Sequence, residues 1–319
     1  MRKTRFIFLS VILALIIASS CKKEDPIVEA QVLVDHLEST IDPISYMPTI
    51  ITAADLQSSN ALDKVYIIDI RAAEDYDAGH IENAVNVAAG DILTHVDGQD
   101  LSAYEKIAVV CYSGQSAAWA TSLLRLKGYD NAYSLKFGMA SWHLDCAGSW
   151  DNNISNMYFT QFETTTNDKG AEGNLPDLTT SFETAEEILD ARVDDVLAEG
   201  FSAAAISASD VFANTDNYYI VNYWPSAEYT DPGHVPGAYQ YTPKGSLTTS
   251  TDLKTLPTDE TIVVYCYTGQ TSAYLAAYLR TLGYDAKSLK FGANGMIYDN
   301  MPGHQWTTPT QSYDVVTSK

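Results

Sequence analysis

An internal repeat sets the limits on how this chain can fold. Gly79-His80-Ile81-Glu82-Asn83-Ala84 returns as Gly233-His234-Val235-Pro236-Gly237-Ala238, and the stretch from Ile107 to Ser116 around Cys111 returns as Ile262 to Thr271 around Cys266. Gly128-Tyr129-Asp130 is echoed by Gly283-Tyr284-Asp285, and Ser134 to Gly138 by Ser288 to Gly292. The offset holds at about 155 residues, with one-residue slips of the kind loop insertions leave. Even the leading segments correspond: an acidic amphipathic stretch at 27–39 matches one at 184–199, and Ile51–Asp55 matches Ile206–Asp210. A period this long is far above that of a solenoid, so the chain is a duplicated domain. The expected division is a first domain at 27–150 (core about 50–145), a linker at 151–180 rich in Asn, Thr, Asp and Gly, and a second domain at 181–319 (core about 205–300).

Within each copy, short apolar runs alternate with helical patterns. Val65–Asp69 and Ile107–Cys111 read as strands buried on both faces, as do Tyr218–Asn222 and Ile262–Cys266. Residues 116–127 place Trp119, Leu123 and Leu126 at helical spacing before Gly128, and Thr271–Leu282 repeats this before Gly283. Strands alternating with helices predict an α/β fold: two tandem domains, each a parallel sheet covered by helices on both faces.

Each repeated cysteine closes a strand and opens a Gly-containing loop that enters a helix. Successive backbone N–H groups in such a loop can converge on one point, and the helix N-terminus adds partial positive charge. A thiolate placed there is stabilised, which makes Cys111 and Cys266 the candidate nucleophiles. The anion-binding loops are Tyr112-Ser113-Gly114-Gln115-Ser116 and Tyr267-Thr268-Gly269-Gln270-Thr271. Cys146 has no counterpart, since Asn300 takes its place, and is read as structural. Trp142, Trp150, Trp224 and Trp306 are read as packing residues at domain contacts or rims.

These motifs resemble the rhodanese (sulfurtransferase) family, whose pattern runs Asp-x-Arg, Tyr-x-x-Gly-His-Ile, Cys-x-x-Gly-x-x, Gly-Tyr and Leu-x-Gly-Gly. The first copy supplies Asp69-Ile70-Arg71, Tyr76 to Ile81, Cys111 to Ser116, Gly128-Tyr129 and Leu135 to Gly138; the second supplies Gly233-His234-Val235, Cys266 to Thr271 and Leu289 to Gly292. The resemblance implies that each cysteine carries sulfane sulfur as a persulfide, from a small sulfur donor to a thiol or cyanide acceptor or to a redox or sulfur-acceptor protein, without cofactor or metal. It also implies supporting roles for Asp69, Arg71, His80 and His234, the histidines bracing turns by hydrogen bonds. The chain departs from the pattern in two places. Neither loop carries the Arg or Lys that grips thiosulfate in many members, leaving Lys136 and Lys290 as nearby sources of charge. The second copy has Asn222-Tyr223-Trp224 where Asp-x-Arg is expected, so its loop is expected to lean on other contacts and the first site to be the more typical.

Charge and cysteine usage close off other classes. Acidic residues outnumber basic ones 41 to 19, a net charge of −22, which opposes a nucleic-acid partner. Four cysteines, Cys21 among them, make no disulfide scaffold and no zinc pattern. A cysteine phosphatase needs an arginine six residues after its nucleophile, and Ala117 and Ser272 stand there. A non-catalytic persulfide carrier on the cell envelope is the surviving alternative. Arg2, Lys3 and Arg5 precede an apolar run at 6–18, with Ser10 its one polar residue, which ends in Ser19-Ser20-Cys21. This reads as a signal peptide at 1–20 whose end resembles a lipobox, implying lipidation of Cys21 and a tether at 21–26. The expected location is the periplasm, the outer membrane or the cell surface of a Gram-negative bacterium, with a membrane contact through the lipid anchor.

Overall fold

The computed structural model describes residues 27–47 and 49–318. The expected signal peptide, the tether and Cys21 lie outside the described residues. The first half runs α1 (Glu29–Thr40), β1 (Ile50–Ile51), α2 (Ala53–Asn60), β2 (Val65–Asp69), α3 (Ala73–Ala78), β3 (Val85–Asn86), α4 (Ile92–Asp97), β4 (Lys106–Val110), α5 (Gln115–Leu126) and β5 (Ala132–Leu135). Two short helices follow, α6 (Met139–Trp142) and α7 (Gly148–Asp151). The second half runs α8 (Ala185–Ala203, interrupted at Gly200), β6 (Ala205–Ile206), α9 (Ala208–Ala213), β7 (Tyr219–Asn222), α10 (Ser226–Thr230), β8 (Tyr239–Gln240), β9 (Ile262–Tyr265), α11 (Gln270–Thr281) and β10 (Ala286–Leu289). Each half holds one five-stranded sheet, ordered β1-β5-β4-β2-β3 and β6-β10-β9-β7-β8, and all its pairings are parallel.

The central strands β2, β4, β7 and β9 are mainly apolar because both faces of each sheet are covered. Along β4 the side chains alternate: Ile107 and Val109 join one core, and Ala108 and Val110 join another beside Leu56, Met139 and Trp142. In β9, Ile262 and Val264 share the first of these cores, while Val263 and Tyr265 pack outward with Trp224 and Met296. The shared core is continuous from one half to the other. Between the two sheets lie α5 and α11, packed along one another, with α1 against α8 beside them.

This explains one departure from the sequence expectation. A helix covering a sheet buries one stripe, as the spacing of Trp119, Leu123 and Leu126 predicts. In the structure α5 is buried on nearly every side, down to Thr121, Ser122 and Arg125, because α11 covers what a lone domain would expose. Ser122 Oγ donates across the contact to the Tyr274 carbonyl at 3.0 Å.

The segments that follow each half are exchanged. Residues 153–167, from the polar linker, run along the second half: Ser155 N donates to Asn294 O at 2.9 Å, and Glu163 pairs with His234 in an antiparallel bridge. The C-terminal segment returns to the first half, where Val316 pairs with His80 and Trp142 Nε1 donates to Asp314 O at 3.0 Å. Trp150 of α7 and Trp306, which precedes the returning C-terminal segment, stack at 5.6 Å with Phe137 edge-on to both.

Candidate active site

β4 and β9 deliver Cys111 and Cys266 to the C-terminal ends of their sheets, and α5 and α11 begin four residues later. Gly114 and Gly269 cap those helices at φ 84° and 79°, a left-handed conformation that glycine adopts without strain. The reversal turns backbone N–H groups onto the sulfur. Gly114 N and Ala117 N lie 3.1 and 3.3 Å from Cys111 Sγ. In the second loop Ser272 N lies 3.4 Å from Cys266 Sγ, and the Ser272 hydroxyl lies 3.7 Å from it. Both cysteines are 2% exposed.

The loop carbonyls point elsewhere, held by the chain after the last strand. Met139 N donates to Cys111 O at 2.8 Å and Ala140 N to Tyr112 O at 3.2 Å; Ala293 N and Asn294 N do the same for Cys266 and Tyr267 at 3.0 and 3.1 Å. With carbonyls pinned outward, two amides face the sulfur of Cys111 and one faces that of Cys266.

A sequence model of the rhodanese-like domain matches residues 52–145 and again 181–297, one match over each cysteine loop. The chain belongs to the rhodanese-like family. The thiosulfate sulfurtransferase GlpE of Shewanella oneidensis is 39% identical over 80 residues, which are 25% of this chain and 76% of that protein. The adenylyltransferase and sulfurtransferase uba4 of Ogataea parapolymorpha is 31% identical over 77 residues, 24% of this chain and 20% of its own length. Among solved structures, a rhodanese-like domain protein from Staphylococcus aureus is 26% identical, covering 30% of this chain and 90% of that one at a TM-score of 0.27. The thiosulfate sulfurtransferase of Pseudomonas aeruginosa is 18% identical, covering 88% of this chain and 49% of that one at a TM-score of 0.31.

The two rhodanese-like halves hold their loops differently. In the first, Asp69 and Arg71 form a buried ion pair at 2.7 Å, and Arg71 also donates to Gly79 O at 2.8 Å. The guanidinium sits 5.9 Å from the centre of the Tyr112 ring. In the second, Asn222 Nδ2 donates to the Tyr265 hydroxyl at 2.7 Å, and Trp224 stacks on Tyr267 at 5.2 Å and 9°. Trp224 thus does by ring stacking what Arg71 does by charge, and the second loop is braced from within its own half as well as by the first. His80 and His234 stack on Tyr76 and Tyr229, with Nδ1 bonded to the carbonyls of those tyrosines at 2.8 and 2.7 Å.

Several site residues escaped the sequence reading. The amides of Ala117 and Ser272 reach the sulfurs from beyond the expected loops, signalled only by their position in the first helical turn. Carboxylates absent from the neighbouring sequence arrive from other helices: the Tyr112 hydroxyl donates to Asp75 at 2.5 Å, and the Tyr267 hydroxyl bonds Glu228. Burial first, and then these carboxylates, push both phenols up, so they remain protonated donors. Lys136 lies 5.1 Å from the centre of the Phe137 ring and lines a cavity of about 310 Å³ at Cys266. Lys290 lines a separate groove with Phe201 and Lys287. Cys146 is half-buried, and burial pushes its thiol up against the opposing pull of Arg71.

Proposed function

We propose that this chain is a sulfurtransferase that moves sulfane sulfur through persulfides on Cys111 and Cys266. The observation that carries the reading is the set of backbone amides aimed at the sulfurs, two at Cys111 and one at Cys266. Such donors stabilise a thiolate and then the charge on the sulfur it acquires. With thiosulfate, the cysteine thiolate attacks the terminal sulfur, the S–S bond breaks, and sulfite departs with the bonding electron pair. The cysteine is left as a persulfide anion within the amide cradle. A thiolate or cyanide then attacks the outer sulfur and regenerates the cysteine thiolate, giving a new persulfide or thiocyanate. No redox partner is needed, because each step exchanges one sulfur nucleophile for another.

Export and lipid anchoring through Cys21 belong to the same proposal, resting on the basic, apolar and small-residue order of residues 1–21. Steady thiocyanate formation from thiosulfate and cyanide, abolished in the Cys111→Ser, Cys266→Ser double variant, tests the activity. Stoichiometric loading without turnover would make the chain a carrier instead. Recovery of Cys21→Ser in the soluble fraction of cells whose wild-type protein sediments with membranes tests the anchor.

A further inference from the structure

One side chain ties the second cysteine loop to a histidine, and the first loop has no equivalent. Ala140 and Asn294 hold the same place, since the backbone N–H of each donates to the carbonyl of its loop tyrosine, Tyr112 or Tyr267. Ala140 ends at a methyl group. Asn294, fully buried, extends an amide that clamps residues 304–306 to the loop. Its Nδ2 donates to Tyr267 O at 2.7 Å and to His304 O at 3.3 Å, and its Oδ1 accepts from Trp306 N at 2.7 Å. So held, His304 takes a left-handed backbone, φ 61°, which costs a non-glycine residue some strain. Its ring lies 4.5 Å from the centre of the Tyr267 ring and lines the cavity at Cys266. The other charged and titratable side chains there are Lys136, Lys244 and the Tyr267 phenol, whose hydroxyl bonds Glu228. An ammonium group only donates, and burial and then Glu228 keep the phenol protonated. Among the described residues lining the cavity, apart from the sulfur itself, the imidazole is therefore the group that can accept a proton. Sulfur transfer to a thiol needs such a group, because a thiol is mostly protonated near neutral pH and only its thiolate is a good nucleophile.

We propose that His304 is the general base that activates thiol acceptors at Cys266. This deepens the sulfurtransferase reading and rests on it. The imidazole takes the proton of R–SH, and the thiolate so formed attacks the outer sulfur of Cys266–S–SH. A new S–S bond forms as the old one breaks, and R–S–SH departs. The bonding pair returns to Cys266 as a thiolate facing Ser272 N, and the imidazolium gives its proton to water. No oxidant or reductant enters. At the first site the repeat offset brings Trp150 to the place of His304, and its Nε1 donates to Ser113 O at 3.1 Å. An indole N–H only donates, so the duplication has left the two sites unequal toward thiols.

The test uses the full chain carrying Cys111→Ser, loaded with sulfur at Cys266 and then separated from the donor. Single-turnover loss of that sulfur is followed at pH 8 with 2-mercaptoethanol, which must shed a proton, and with sulfite, which attacks as an anion. His304→Gly and His304→Asn both suit a left-handed backbone, and circular dichroism of each reports whether the fold is intact. Each is expected to lower the ratio of the thiol rate to the sulfite rate by about a hundredfold, the low end of general acid–base catalysis. Imidazole added to His304→Gly is expected to restore the thiol rate in proportion to its concentration. An unchanged ratio, or an equal fall with both acceptors, overturns the proposal and leaves the sulfurtransferase reading standing. Failure of every donor to load Cys266 overturns both.

Discussion

At the scale of single residues, the two sites share a backbone and differ in what surrounds it. Ala117 and Ser272 hold the same place in the first helical turn, yet only Ser272 brings a hydroxyl to the sulfur. Ser288 Oγ donates to Gly269 O at 3.2 Å, so the Ser272 hydroxyl donates to Ser288 Oγ at 2.7 Å and accepts from the Cys266 thiol at 3.7 Å. An acceptor facing the thiol favours the protonated sulfur over the thiolate. Ser272→Ala, which removes that acceptor and keeps the backbone amide, is therefore expected to speed alkylation of Cys266 by a few-fold in the Cys111→Ser background. A slower rate would show that the hydroxyl donates to the thiolate instead. The cysteines and their loops were legible in the sequence because a repeated strand–Cys–loop–helix pattern is local. Asp75, Glu228 and the lysine at Cys266 were not, because they reach the loops only through the tertiary fold. The replacement of Arg71 by Trp224 read as a loss; only geometry shows that both lie against the loop tyrosine.

At the scale of elements, the two cysteine loops are tied to one another. Gln115 and Gln270, each the first residue of its helix and 3% exposed, reach across the midline. Gln270 Oε1 accepts from Phe137 N at 3.1 Å, and Gln115 Oε1 accepts from Phe291 N at 2.8 Å. Those amides belong to the turns that pin the Cys111 and Cys266 carbonyls through Met139 and Ala293. Each loop thus braces the support of the other. With Cys266 replaced by Ser, Gln270→Ala is expected to slow persulfide formation at Cys111 by about tenfold, since small misplacements near a reacting group are costly. Gln115→Ala is expected to do the same to Cys266. Effects confined to the loop that carries each substitution would contradict the cross-brace. The sequence placed both glutamines in the loops, but a repeat pattern carries no information on how its copies face each other.

At the scale of the whole molecule, the halves are not separable units. The central core, α5 against α11, and the exchanged segments 153–167 and 312–316 make each half part of the other's fold. The polar, Asn- and Thr-rich stretch after 151, read as a linker, is largely exposed, and hydrogen bonds at Ser155, Tyr158 and Glu163 hold it along the second half as a strap. One cooperative thermal transition is expected, with calorimetric and van't Hoff enthalpies in agreement, and two resolved transitions would contradict the shared core. Glu163 supplies a pH signature for the strap. Burial pushes its carboxyl up, but the Gly237 amide, the Asn167 side chain and His234 outweigh this, leaving it below the ordinary range. A carboxylate depressed in the folded state contributes stability that is present above its unfolded pKa of about 4.3 and is lost as pH falls through the folded value. Melting curves between pH 7 and pH 3 should therefore show a shallower acid limb for Glu163→Gln than for the wild type. Identical acid limbs would remove Glu163 from the account.

The central claim, sulfur carried covalently on Cys111 and Cys266, is tested most directly by intact-protein mass spectrometry. The wild type, each single Cys→Ser variant at 111 and 266, and the double variant are exposed to thiosulfate or to an organic persulfide and then to cyanide. The account predicts a gain of up to two sulfur atoms in the wild type, one in each single variant and none in the double variant. Cyanide should remove each added sulfur. A double variant that still gains cyanide-labile sulfur, or a wild type that gains none from any donor, would contradict it.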